Sequence, residues 1–178
     1  MVEKIITVNW EGPFNFKKVV DDYCLDTDDR SDFGLYQIYG PHRLYLNKKR
    51  PLVTNVLLYI GKTVSGSTFS GRIKKHGFCH LPEYEIYLGR IENSQYDQNH
   101  ELWIHDVGDA EKVLINRYSP PYNANLTGDL RGDQLHSSKC TIVNMGALAD
   151  MEETIRSEDV VYVSGRDKLS QKWSSGIE

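Results

Sequence analysis

The sequence predicts an α+β fold: a small, mainly antiparallel β-sheet of three central strands, flanked by helices. Three observations predict it. Runs of aliphatic, aromatic and β-branched residues at 34–39, 56–61 and 84–91 are bounded by Gly, Pro and Asn, which is the strand signature. Residues 13–24 and 109–118 instead carry apolar side chains at three- and four-residue steps. The 178 residues, 39% of them hydrophobic, suffice for one domain with a true core. We therefore read 1–178 as a single domain, with a core at 34–123 and extensions at 1–33 and 124–178.

In chain order, KIITVNW (4–10) reads as a short strand. Pro13 suits the first turn of a helix, and Phe16, Val19, Val20, Tyr23 and Cys24 continue it to 24. Residues 26–32 form an acidic loop without the glycine and terminal glutamate of a calcium loop. GLYQIYG and NVLLYIGK then supply two strands joined by a connector containing Asn47, Lys48, Lys49, Arg50 and Pro51. Their antiparallel pairing brings Tyr36 close to Tyr59. Thr68 is placed to cap a following helix, on which Phe69, Arg72, Ile73 and His76 recur at helical spacing. Arg72 and His76 then share one face, flanked by Lys74 and Lys75; a surface helix with solvated cations fits the same pattern. In YEIYLGRIE, Tyr84, Ile86 and Leu88 alternate with Glu85, Tyr87 and Gly89, a third strand. Further on, CTIVNM reads as a strand, ALADMEETIRS as a helical turn or two, and VVYVS as a final strand.

Composition excludes several classes. Charged residues make up 26%, too few with this apolar content for a disordered chain. No apolar run approaches the ~18 residues of a membrane span, and the N-terminus lacks a secretory core. Cys24, Cys79 and Cys140 are odd in number and widely spaced, which suggests reduced thiols and a cytoplasmic protein.

The net charge of −4 conceals a strong segregation. Residues 33–82 hold Arg43, Lys48, Lys49, Arg50, Lys62, Arg72, Lys74 and Lys75 and no Asp or Glu, so this segment stands at +8 and the rest at −12. Phosphate binding follows local potential rather than total charge, so these cations are candidate contacts to a nucleic-acid backbone.

In the helix at 109–118, Val107, Ala110, Leu114, Ile115 and Tyr118 project as one apolar stripe, with Lys112 and Asn116 opposite. Glu111 falls inside the stripe. A core-facing carboxylate is costly unless it is paired or holds a cation, so Glu111 is either salt-bridged at the stripe's edge or a metal ligand.

GLY at 34–36 and YIG at 59–61 resemble the two motifs of the GIY-YIG nuclease superfamily. Arg72-x-x-x-His76 is similar to that family's catalytic helix, and EKVLINRYSPPYN (111–123) resembles the corresponding helix end in a member that serves bacterial excision repair. The resemblance covers 34–123 with five ordered features: GLY, YIG, Arg72, Glu111 and Asn123. A long basic connector between GLY and YIG, and a stretched interval from YIG to Arg72, depart from the family pattern. The resemblance implies phosphodiester hydrolysis with Glu111 holding Mg²⁺ (or Mn²⁺), Arg72 on the scissile phosphate, Tyr36 orienting the water or phosphate, and Tyr59 as base. His76 competes for that last role, because its ordinary pKa is near neutral. For Tyr59 to serve, neighbouring cations such as Lys62 and the metal must lower its pKa. Lys48, Lys49, Arg50, Lys62, Lys74, Lys75 and Asn123 are the expected substrate contacts.

The function expected is a metal-dependent DNA endonuclease, in restriction or phage defence. A repair or recombination nuclease acting on structured DNA, and a non-catalytic nucleic-acid-binding module, are the alternatives. One active site cuts one strand, so double-strand cleavage would call for a homodimer or for two successive events.

Overall fold

The computed structural model describes residues 4–22, 34–42, 53–63, 68–91, 100–123 and 139–160. In chain order they form β1 (Lys4–Phe14), α1 (Phe16–Asp22), β2 (Gly34–His42), β3 (Val53–Thr63), α2 (Phe69–Ile73), β4 (Glu85–Ile91), α3 (His100–Tyr118), a 3-10 turn at Pro121–Asn123, β5 (Cys140–Gly146) and β6 (Thr154–Arg156). A second 3-10 turn, Ser157–Asp159, follows.

The strands make one six-stranded sheet in the order β3-β2-β4-β1-β5-β6. This corrects the expected fold class. The sheet is not a small three-stranded antiparallel layer flanked by helices but a mixed, curled half-barrel. The strands at 34–42, 53–63 and 85–91 are only one half of it. The other half comes from the two ends of the described chain, where β1 runs parallel to β5 from Lys4–Cys140 to Trp10–Gly146. Local periodicity identifies a strand but carries no information about a pairing more than a hundred residues away. Trp10 stitches that seam: its Nε1–H donates to Asn144 Oδ1 at 3.0 Å, and its carbonyl accepts from Ala147 N.

Smaller corrections follow the same logic. Pro13 does not open a helix. It lies in β1, at a register shift between Glu11 and Phe14 where the ladder to β4 is interrupted, a position proline tolerates. The helix begins at Phe16. The segment 147–157 forms turns and the short strand β6 instead of a helix, because Thr154–Arg156 pairs antiparallel with β5. Val160 ends the described residues outside any strand, and the rest of the expected strand at 160–164 lies outside them.

Each sheet face carries its own core. Ile6, Val8, Trp10, Leu35, Tyr39 and Ile60 pack with Trp103, Val107, Ala110, Val113 and Leu114 of α3 on one side. Tyr36, Ile38, Ile86 and Leu88 pack with Val19, Phe69 and Ile73 of α1 and α2 on the other. Burial of both faces explains why β2 is buried from Gly34 to Gly40. The active-site candidates lie where edge strand β3 passes between these layers.

Candidate functional site

Strand pairing builds the first part of the site. In the β2–β3 ladder Tyr36 lies opposite Gly61 and Ile38 opposite Tyr59. Tyr36 and Tyr59 thus stack along one face, ring centroids 5.8 Å apart at 26°. Gly61 makes room for them. A Cβ there would stand 2.5 Å from the Tyr36 hydroxyl oxygen and 2.7 Å from Tyr59 Cε1, closer than side chains approach.

Helix α2 supplies the cations. Thr68 caps it as expected, accepting from Gly71 N at 3.0 Å. The helix ends at Ile73, so the expectation of Arg72 and His76 on successive turns of one helix is corrected: His76 sits beyond the helix, in a turn where its N–H donates to the Ile73 carbonyl. Gly77 follows, and five residues are too few for a second turn. This turn directs the His76 ring against the tyrosines, 4.4 Å from Tyr59 by centroids, with Nε2 2.9 Å from the Tyr36 hydroxyl oxygen. Arg72 acts electrostatically on Tyr36, Tyr59, His76 and Glu111. Lys74 and Lys75 are exposed beside it.

Glu111 arrives from α3. Its side chain is 13% exposed, and Oε2 lies 3.0 Å from Lys62 Nζ, next to Gly61 on β3. It also acts electrostatically on both tyrosines. Asn116, expected opposite the stripe, is buried, its amide donating to the Lys112 carbonyl. Asn123, expected to touch substrate, is buried with its amide engaged on β3: Oδ1 accepts from Ile60 N at 2.9 Å and Nδ2 donates to Ile60 O at 2.7 Å. It fixes the strand that carries Tyr59 and Gly61. Lys48, Lys49 and Arg50 lie outside the described residues.

The electrostatics separate the two candidate bases. Burial, with the neighbouring Glu111 carboxylate, pushes the Tyr59 phenol above its ordinary value, and hydrogen bonding by Tyr36 and the Arg72 charge do not reverse this. The expected lowering of Tyr59 by cations is therefore not what this environment produces. Burial raises Tyr36 further still. Burial and then Arg72 hold His76 below the ordinary imidazole value, which leaves it neutral and able to accept a proton at neutral pH. Burial raises Glu111 despite Lys62, Arg72 and Lys112.

That last balance bears on a metal. A carboxylate still pushed toward its neutral form beside three cations is one that a divalent ion would satisfy. It has acceptor sites beyond the one that Lys62 uses. One carboxylate suits Mg²⁺, which keeps several waters and takes the rest from phosphate. A second acidic group, unforeseen in the sequence though His105, Asp106 and Asp109 show the i, i+4 spacing, lies elsewhere on α3. Its ligand atoms fall within 4.8 Å of one another, but Lys4 Nζ already pairs with both aspartates.

Sequence reasoning also missed the aromatic surroundings of His76. Phe78 follows it at 5.6 Å, and Tyr122 packs edge-on to Phe78 at 4.8 Å. The eleven tyrosines of the chain were the available signal, but ring contacts between residues 78 and 122 have no local signature.

Comparison of the chain with protein-family models, with curated proteins and with solved structures finds no match.

Proposed function

We propose that the chain is a metal-dependent endonuclease that hydrolyses phosphodiester bonds in DNA, acting in the cytoplasm in restriction or phage defence. The observation that carries the reading is that Tyr36, Tyr59 and His76 touch one another at the edge of the sheet, with Arg72 and Glu111 near enough to act on the tyrosines electrostatically. An electrically neutral imidazole, a guanidinium and a buried carboxylate are the three groups that hydrolysis of a phosphodiester requires: a proton acceptor, a phosphate clamp and a ligand for a hard cation.

His76 takes the proton of the attacking water, and the Tyr36 hydroxyl at 2.9 Å holds the imidazole in place. Tyr59, as a phenol, orients the water or the phosphate. Arg72 presents a planar fork of donors to the scissile phosphate. Lys62, Lys74 and Lys75 pair with the flanking backbone. Glu111 would hold Mg²⁺ or Mn²⁺, which supplies charge relief on the phosphate and stabilises the leaving 3′-oxygen.

The test is incubation of purified protein, with and without Mg²⁺ or Mn²⁺, on plasmid, linear and branched DNA. Cleavage that Glu111→Gln abolishes while DNA binding persists supports the reading. Intact DNA under every condition overturns it. The Lys62–Glu111 ion pair favours one second reading, since it gives the carboxylate a partner without a metal: a nucleic-acid-binding module that does no chemistry. Such a module keeps its affinity in Glu111→Gln and has no metal requirement.

A further inference from the structure

An aromatic row leads out of the site. The Tyr59 ring touches His76 at 4.4 Å, His76 touches Phe78 at 5.6 Å, Phe78 touches Tyr122 at 4.8 Å and Tyr122 touches His42 at 5.7 Å, all by centroids. The rings come from β3, the turn after α2, the 3-10 turn after α3 and the end of β2. The row starts at half-buried Tyr59, stacked on the fully buried Tyr36, and runs outward to Tyr122, which is 43% exposed, and half-buried His42. Tyr122 and Phe78 stand nearly perpendicular, at 70°, so the row is stepped rather than flat.

The flank of this row is cationic. Lys74 and Lys75 are exposed two residues and one residue before His76, Arg72 lies one turn earlier, and residues 68–82 contain no Asp or Glu. Rings beside ammonium groups match the chemistry of a single strand, whose bases stack on the rings while its phosphates meet the cations. A continuous duplex presents no base face to such a row, because its bases are stacked on one another. An apolar protein partner would leave the cations unmatched.

We propose that Tyr122 and Phe78 form a stacking ledge for unpaired nucleobases, so that the preferred substrate is DNA with a single-stranded segment beside the scissile phosphate. The inference rests on the nuclease reading for what happens to that phosphate, but the ledge is a binding device and can be tested without cleavage.

The experiment measures binding of the full chain in chelator to three oligonucleotides of equal length: a thymine single strand, the same strand with abasic sites throughout its centre, and a duplex. The thymine strand is expected to bind tightest. Tyr122→Ala should weaken it roughly five-fold or more, the range for loss of one stacking ring. Tyr122→Phe should retain full affinity, and neither variant should change affinity for the abasic strand, affinity for the duplex, or Tm. Equal losses on all three ligands, no loss on the thymine strand, or no binding to any of them overturns the ledge. Cleavage plays no part in these readouts. A protein that passes them yet never cuts DNA refutes the nuclease reading alone, and one that cuts duplex DNA with Tyr122→Ala indifferent refutes the ledge alone.

Discussion

Lys62 Nζ and Glu111 Oε2 meet at 3.0 Å between edge strand β3 and helix α3, and the pair adjoins the tyrosine stack through Gly61. Lys62 remains one-third exposed while the glutamate is largely shielded, so the ammonium keeps much of its hydration and the carboxylate does not. Burial consequently wins over attraction at Glu111, whose pKa is raised. A protein optimised for stability alone would not place a carboxylate there.

This imbalance yields a paired expectation for Glu111→Gln. Cleavage should fall about 100-fold or more, the scale for losing one charge stabiliser of a transition state. Stability should move the other way. A carboxyl raised above its ordinary 4.5 stabilises the fold fully below that value, and the contribution is lost as pH rises through the raised one. The glutamine variant, which mimics the protonated form, should therefore melt higher than the parent at pH 7, and the difference should close below about pH 4.5. Thermal denaturation at several pH values measures both.

On the nuclease reading, His76 should set the pH dependence of cleavage. Its pKa is held below the ordinary 6.5, so the proton acceptor is lost only as pH falls under that value. The cleavage rate should show an acid limb with an apparent pKa below 6.5, flat through neutrality. His76→Ala should remove the limb and cost about 100-fold or more in rate. Tyr59→Phe should leave the limb in place, since the raised phenol is not the group titrating. For stability the sign is the usual one for a depressed group: His76 contributes above 6.5, and the contribution is lost as pH falls through the lowered value.

Gly61→Ala tests the packing of the stack. The added methyl would fall 2.5 Å from Tyr36 Cζ and 2.7 Å from Tyr59 Cε1, so the rings must shift away from it. Over-packing of this kind costs about 1–3 kcal/mol. Urea denaturation should register that loss, and cleavage should fall further than stability explains, because Tyr36 can no longer reach His76.

Glu111 was legible because helical projection needs only local spacing, and the structure shields its side chain as the projection implies. Tyr36 and Tyr59 were legible for a similar reason, each marking a strand beside a glycine. What the sequence concealed was long-range or depended on where an element stops. Nothing near Lys4–Trp10 announces a parallel partner at Cys140–Gly146, so half of the sheet was unseen. Pro13 reads equally well as a helix start and as a strand irregularity. His76 fits helical spacing from Arg72, yet the helix ends at Ile73, and it is the following turn that brings the imidazole against the tyrosines. Desolvation, which raised Tyr59 where cations were expected to lower it, is a property of packing and not of composition.

Asn123 offers the clearest separation of positioning from contact. Its amide closes two hydrogen bonds on Ile60, between Tyr59 and Gly61, from sixty-three residues away. Asn123→Ala leaves a buried N–H and a buried C=O without partners, at about 2–4 kcal/mol together. Asn123→Asp retains the acceptor for Ile60 N but loses the donor and buries a charge, so it should be no more stable than alanine. If the residue only positions β3, both variants should lower kcat, leave KM for DNA nearly unchanged and move the acid limb back toward 6.5 as His76 loses the packing that shields it. A rise in KM with kcat intact would mean instead that Asn123 turns toward substrate, against the geometry of its two backbone bonds. Steady-state cleavage kinetics at two pH values, with Tm recorded for each variant, distinguish these outcomes.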